Sequence, residues 1–298
     1  MRRWKLGRRQ HPAKDVAATA ADRLRHRLDR CTAAQDSTPA LEPAALADAS
    51  AVLDEVLGDR SLANAAAARA FADLSLLHRI RAIGFGDSME ELHACGALQV
   101  LAYVVDPAVV APQTYQEVAR AITGGAETDR PTARLRALQG HASAVRAAWL
   151  RQPHPDLADT FVRAFQRLVA AAGPDVPNWP TRLIDLAAAL DERYRLHEPD
   201  GERSDLDDAI RLTDEAISAA GGDRNVLLRA HKVRAPMLMT RDELTPGSTD
   251  LTAAAESFGA LVELTAPDDP AYGRHQANLA AVRSLLRGAE PPPADPGP

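Results

Sequence analysis

Aromatic residues make up only 4% of this chain, and lysine is confined to Lys5, Lys14 and Lys232. So few aromatics leave little surface on which single-stranded bases could stack, and a net charge of −6 argues the same way against nucleic acid. Cysteine is scarce as well. Cys31 and Cys95 are too few for a disulfide framework or a four-cysteine metal site, and they fit a reducing cytosol. β-Branched residues are dispersed rather than gathered into runs bounded by turn signals, so no strand is expected and sheet-based folds are disfavoured. No segment is long and apolar enough to span a bilayer. Nine histidines show neither H-E-x-x-H nor another metal spacing, and the expectation is of no metal and no cofactor.

What the chain has in abundance is alanine, within an apolar fraction of 46%, and arginine in place of lysine. Alanine is the strongest intrinsic helix former and lets helix axes approach closely, so the composition suits packed helices. The arginine skew is that of a GC-rich, actinobacterial-type genome. Charge is unevenly spread: residues 1 to 30 hold ten Arg or Lys against three Asp, which leaves the remainder strongly acidic. The opening "MRRWKLGRRQHPAKD" could meet phosphate or acidic lipid by Coulomb attraction, or be a solvated arm. The stretch "AKDVAATAADRLRHRL" at its end is charged throughout and does not read as an export signal. A cytoplasmic protein is expected.

A repeated pattern organises the second half. "DLDDAIRLTDEAISAAGGD" from Asp205 is echoed by "DLTAAAESFGALVELTAPDD" from Asp250, about 45 residues on, and by "DLADTFVRAFQRLVAAAGPD" from Asp156, about 49 residues back. Each Asp stands where an N-cap or first-turn acid meets free backbone N–H groups and the helix dipole. The preceding helix repeats too: "PNWPTRLIDLAAAL" from Pro177 resembles "PAYGRHQANLAAVRSLL" from Pro270. The copy between them, "RNVLLRAHKVRAPMLM", is weaker, and Pro236 is expected to kink or shorten its helix. These spacings predict helical hairpins at roughly 131–173, 179–222 and 224–266 and a closing helix at 271–287. The proline-rich tail 288–298 and the arm 1–14 are expected to be disordered. Upstream, helices are predicted near 13–33, 43–57, 61–83, 88–105 and 112–123. Residues 15–130 are read as degenerate hairpins of the same array, with a separate bundle as the alternative and "TGGAETDRP" as the boundary.

In "DLAAALDERY" and "SDLDDAI" the sequence resembles tetratricopeptide repeats, specifically a long-loop variety found in large actinobacterial proteins that also carry caspase-like domains. The resemblance implies an all-α fold, a right-handed α-solenoid of antiparallel helical hairpins. It places Leu183, Leu186, Ala187 and Leu190 at first-helix packing positions, Ala209 and Ala216 at small positions of the second helix, and Ala254 and Phe258 at their equivalents. The extra length over the family's repeat of about 34 residues falls in "RLHEPDGERS", between the two helices. The match covers about half the chain and thins before residue 150. It implies a non-enzymatic binding or scaffold module whose first helices line a concave groove for a peptide or partner helix. Residue spacing nominates Arg182, Asp185, Arg229, Lys232, Arg274 and Asn278 as groove-lining, partner-binding residues.

Catalytic readings are weak. Cys95 comes two positions after His93, which on a helix sets the two side chains on opposite faces, so a buried core cysteine is expected rather than a nucleophile. The alternative is a component of a cysteine-protease effector using Cys95 with a distant histidine, and a third reading has the basic arm bind nucleic acid. "GFGDSMEE" lacks the strand a phosphate loop needs; Gly84 and Gly86 read as a turn, with Asp87 or Ser88 capping a helix that Glu90 or Glu91 supports by its charge. The remaining histidines occur singly, and no catalytic pair of carboxylates stands out.

Overall fold

The computed structural model describes residues 19–59, 62–124, 128–197, 203–246 and 249–289. The basic arm 1–14 lies outside them, as does the tail from 290 onward. The described residues are helical and contain no strand. In chain order the helices are α1 (Ala20–Ala34), α2 (Thr38–Leu41), α3 (Pro43–Gly58), α4 (Asn64–Gly84), α5 (Met89–Val105), α6 (Pro112–Thr123) and α7 (Arg130–Arg151). They continue with α8 (Pro155–Ala172), α9 (Trp179–Leu196), α10 (Arg203–Ala219), α11 (Arg224–Leu244), α12 (Asp250–Leu264) and α13 (Tyr272–Ala289). None among the described residues is long and apolar enough to cross a membrane.

Local chemistry sets many of the helix ends. Thr19 and Asp22 form a reciprocal capping box at the start of α1. Asp129 accepts from the Thr132 N–H, and Asp223 from those of Asn225 and Val226. Proline stands in the first turn of α3, α6, α7, α8 and α9, where its missing donor costs nothing. The turn between α4 and α5 runs through left-handed backbone at Gly86 and Asp87, φ +69° and +63°. Ser88 precedes α5 but caps no backbone N–H; its hydroxyl donates to Glu90 instead. Two further expectations need revision. α11 is not shortened by Pro236 and runs unbroken to Leu244, with Ala235, Met237 and Leu238 around the proline almost wholly buried. The stretch "RLHEPDGERS" is helical at both ends, since α9 continues to Leu196 and α10 begins at Arg203; 198–202 lie outside the described residues.

From α7 to α13 every helix packs on the next in sequence, and α9 also touches α11. The positions that the tetratricopeptide resemblance implied to be packed are all interior: Leu183, Leu186, Ala187, Leu190, Ala209, Ala216, Ala254 and Phe258 are each 6% exposed or less. Ala187, Ala209, Ala216, Ala230 and Ala254 have no accessible surface at all, which is what lets these helix axes approach closely. Upstream the packing skips along the chain. α3 lies against α1 and α8, α4 against α5, and α5 against both α6 and α7. Two apolar cores result. One runs from Leu24 in α1 to Ala137 in α7, and the other takes Leu46 of α3 together with Leu138 of α7 and the helices beyond. Helix α7 therefore belongs to both, and the close approach of α5 to α7 explains Gly140, where an added Cβ would lie 2.9 Å from the Ala94 Cα.

Candidate functional site

Two surface cavities open side by side along α7. The first, about 340 Å³, lies between α7 and α9 and includes Gln139, Ser143, Arg146 and Leu150 of α7 with Thr181, Arg182 and Asp185 of α9. The second, about 380 Å³, lies between α7 and the α5–α6 pair and includes His93, Ala97, Ile122 and Arg136. Glu90, Gln139 and Ser143 border both, so the cavities adjoin and form one trough across three layers of helix. Its floor is mixed: Phe165 and Leu168 supply buried apolar surface, while exposed Leu150 stands among polar side chains.

The groove residues read from the sequence fall into two groups. Arg182, Asp185 and Arg229 come together. Asp185 Oδ1 accepts from Arg229 Nη2 at 2.8 Å and Arg146 Nη1 at 3.3 Å, bridging α11, α9 and α7. Arg182 is buried rather than exposed, at 7%, and its hydrogen-bond partner is the neutral Gln139 Oε1 at 3.3 Å. Its Nε and Nη1 are buried without an acceptor, and this burial lowers the guanidinium pKa from its ordinary value. Lys232 and Arg274 are exposed further along and flank His275, whose imidazole is held down by burial and then by these two charges. Asn278 is exposed on α13.

A second polar constellation is not legible in the sequence. His78 of α4 and His141 of α7, read there as isolated histidines, meet in the interior with Nε2 and Nδ1 3.2 Å apart. His78 Nδ1 lies 2.6 Å from Glu91 Oε2, and Glu91 Oε1 accepts from Arg81 Nε at 2.8 Å. Glu91 is thus a fully buried anion and not a surface charge at a helix start. Arg81 Nη1 donates onward to the Ala40 carbonyl at 2.7 Å. At the other end His141 Nε2 lies 3.4 Å from Ser50 Oγ, which accepts from Arg167 Nη1 at 2.8 Å, and Arg167 grips Asp54. His78 donates to Glu91 throughout; its other nitrogen gives to or takes from His141, which answers with the opposite role toward Ser50. Burial, then the charges of His78, Arg167 and Arg81, hold the His141 pKa well down. Burial pushes Glu91 up, but His78 and Arg81 outweigh it and keep the carboxyl below its usual range. Serine, histidines and glutamate in a row resemble a catalytic relay. However, Ser50 is 2% exposed and none of the chain borders either cavity of the trough, so the arrangement ties helices together and offers no substrate a place.

Cys95 has the Ser75 hydroxyl as its neighbour at 3.4 Å, and burial raises its thiol pKa, the reverse of an activated nucleophile. Among the described residues no group of three or more His, Cys, Asp or Glu side chains is placed to hold a metal ion. No family model matches the sequence, and no curated protein or solved structure shows significant similarity to it.

Proposed function

We propose that this protein is a non-enzymatic interaction or scaffold module, an α-solenoid of tetratricopeptide-like hairpins working in the cytoplasm, and that its ligand is a peptide or partner helix. The observation that carries this reading is the trough along α7, two adjoining cavities with shared walls built from three successive layers of helix. Its length and its mixture of hydroxyls, amides and charges over an apolar floor suit a segment of chain better than a compact substrate. The hairpins from α7 onward support the same view. A single amphipathic hairpin does not bury enough to offset its ordering entropy, whereas a row of them does, and leaves the first helices free to present side chains.

The test is to select peptides from a random-sequence library on the full chain and map the bound segment by hydrogen exchange. Protection is expected in 136–146 and 178–185, with Cys95→Ser binding as the parent does. Protection confined to other helices, or loss of function on Cys95→Ser with the fold retained, would reject the proposal.

A further inference from the structure

Six arginines with side chains less than a quarter exposed each meet a carboxylate: Arg27 with Asp48, Arg81 with Glu91, Arg167 with Asp54, Arg193 with Asp205, Arg234 with Asp214 and Arg241 with Asp250. Arg182 departs from that rule. Only 7% exposed, it has a neutral amide for company and two buried nitrogens with no acceptor. A guanidinium withdrawn from water without a counter-charge is a costly arrangement, and this one forms part of the wall of the cavity between α7 and α9.

The other charges around that cavity are already committed. Asp185 is held by Arg146 and Arg229. Glu90 accepts from the Ser88 hydroxyl and from its own backbone N–H at the start of α5, and both hold its carboxyl below the usual value. Arg146, Arg229 and Arg182 thus stand against Asp185 and Glu90, which leaves one net positive charge, and Arg182 is the guanidinium among them that meets no carboxylate. A phosphate or sulfate dianion would exceed it and face Glu90 and Asp185 across a small space, whereas a single carboxylate matches it.

We propose that this cavity receives one carboxylate, that of an aspartate or glutamate side chain in the segment lying along the trough, with Arg182 as its counter-ion. For its carrier the proposal rests on the trough reading; for its charge it rests on Arg182 alone. The carboxylate displaces the exposed Gln139 amide from the guanidinium, Thr181 beside Arg182 on α9 and Ser143 on the facing α7 offer hydroxyl donors, and Leu150 covers the ligand's methylene groups.

Peptides selected on the full chain are expected to share an acidic residue at one position. Changing it to Asn or Gln should weaken binding to the parent protein about 10- to 100-fold, the range for one charge-assisted hydrogen-bonded contact. With Arg182→Met that penalty should shrink to less than about threefold, as a coupled pair requires. An unchanged penalty, or peptides with no acidic preference, overturns the proposal. The latter result with the trough still protected would leave the trough reading standing. Conversely, Arg182-dependent binding of the monocarboxylate N-acetylglutamate α-amide with no peptide protecting the trough would keep the carboxylate site and remove its peptide carrier. Should Arg182→Met fail to fold by circular dichroism, the Nε–H resonance of Arg182 in the parent protein gives the answer. It should move on adding the acidic peptide and not its amide counterpart, and equal movement with both overturns the assignment.

Discussion

His78 Nε2 and His141 Nδ1 face each other at 3.2 Å with both imidazoles excluded from solvent, joining α4 to α7 at the seam between the two apolar cores. The hydrogen-bonded chain through them reaches α3 at Ser50, α5 at Glu91 and α8 at Arg167. With α2 joined through the bond from Arg81 to the Ala40 carbonyl, six helices meet in one polar thread, and its members are satisfied only while all six stay in register.

Acid should loosen this seam. In the unfolded chain His141 titrates near 6.5, and in the folded protein well below it, because burial and the groups facing it from α4 (His78, Arg81) and α8 (Arg167) oppose its charge. The unfolded state then binds more protons, so this contribution is complete above about pH 6.5 and falls by up to about 1.4 kcal/mol per pH unit below it. Glu91, held below its usual 4.5, adds a second loss as the pH falls past that value. His231 and His275 are depressed by burial in the same direction, so urea midpoints of the parent should be compared with those of His141→Asn. The parent should lose stability more steeply from pH 7 to pH 5.5; parallel slopes would remove His141 from the account.

Glu91→Gln should destabilise the fold by about 3–5 kcal/mol, since it leaves Arg81, 1% exposed, without a counter-charge. The double variant Glu91→Gln with Arg81→Met should be less damaged than the single one, because a buried pair removed together leaves no orphaned charge. Guanidinium denaturation of the parent and the two variants checks the order.

Two glycine substitutions should have opposite signs. At Gly140 an added methyl meets the α5 backbone, with Ala94 Cα at 2.9 Å and Ala94 N at 3.2 Å, so Gly140→Ala should cost about 1–3 kcal/mol. At Gly259, inside α12, a Cβ meets nothing within 4 Å, and Gly259→Ala should stabilise by about 0.5–1 kcal/mol. Thermal melting of the two proteins side by side decides it.

Helix positions were legible in the sequence because their signals are local. Pro43, Pro112 and Pro155 mark first turns and Gly124 and Gly173 mark ends, whereas the packed positions of α9, α10 and α12 were picked out by the repeat resemblance. The candidate site was legible only in part. Arg182, Asp185 and Arg229 share a helical register that spacing reveals, but that Arg182 is buried depends on how α7 covers it. The histidine chain left no trace, since its partners lie 63 and 91 residues apart and only tertiary packing brings them together. Pro236 shows the converse. Local chemistry argues for a kinked or shortened helix, yet α11 continues past the proline to Leu244 with Ala235, Met237 and Leu238 buried.

Asp205 and Asp250 also do more than their helix-start positions suggest. Arg193 of α9 holds Asp205 of α10 through two bonds of 2.6 and 2.7 Å and reaches back to Asp159 of α8 at 3.0 Å. One hairpin later Arg241 of α11 holds Asp250 of α12 at 2.7 and 2.8 Å and reaches back to Asp207 of α10 at 2.9 Å. The same latch thus recurs, each arginine binding the helix after it and the helix before it, and these carboxylates raise both guanidinium pKa values. Removing Arg241 takes this paired contact from Asp250, 6% exposed, and Arg241→Ala should cost about 1.5–3 kcal/mol. Arg241→Lys should recover little of this, because an ammonium cannot make the paired contact. The loss should be local: α7 to α13 are packed in sequence, so amide exchange should quicken in α12 and α13 while α4 and α5 keep their protection. Equal acceleration along the whole chain would mean that the helices open as one cooperative unit and that the latch does not act hairpin by hairpin.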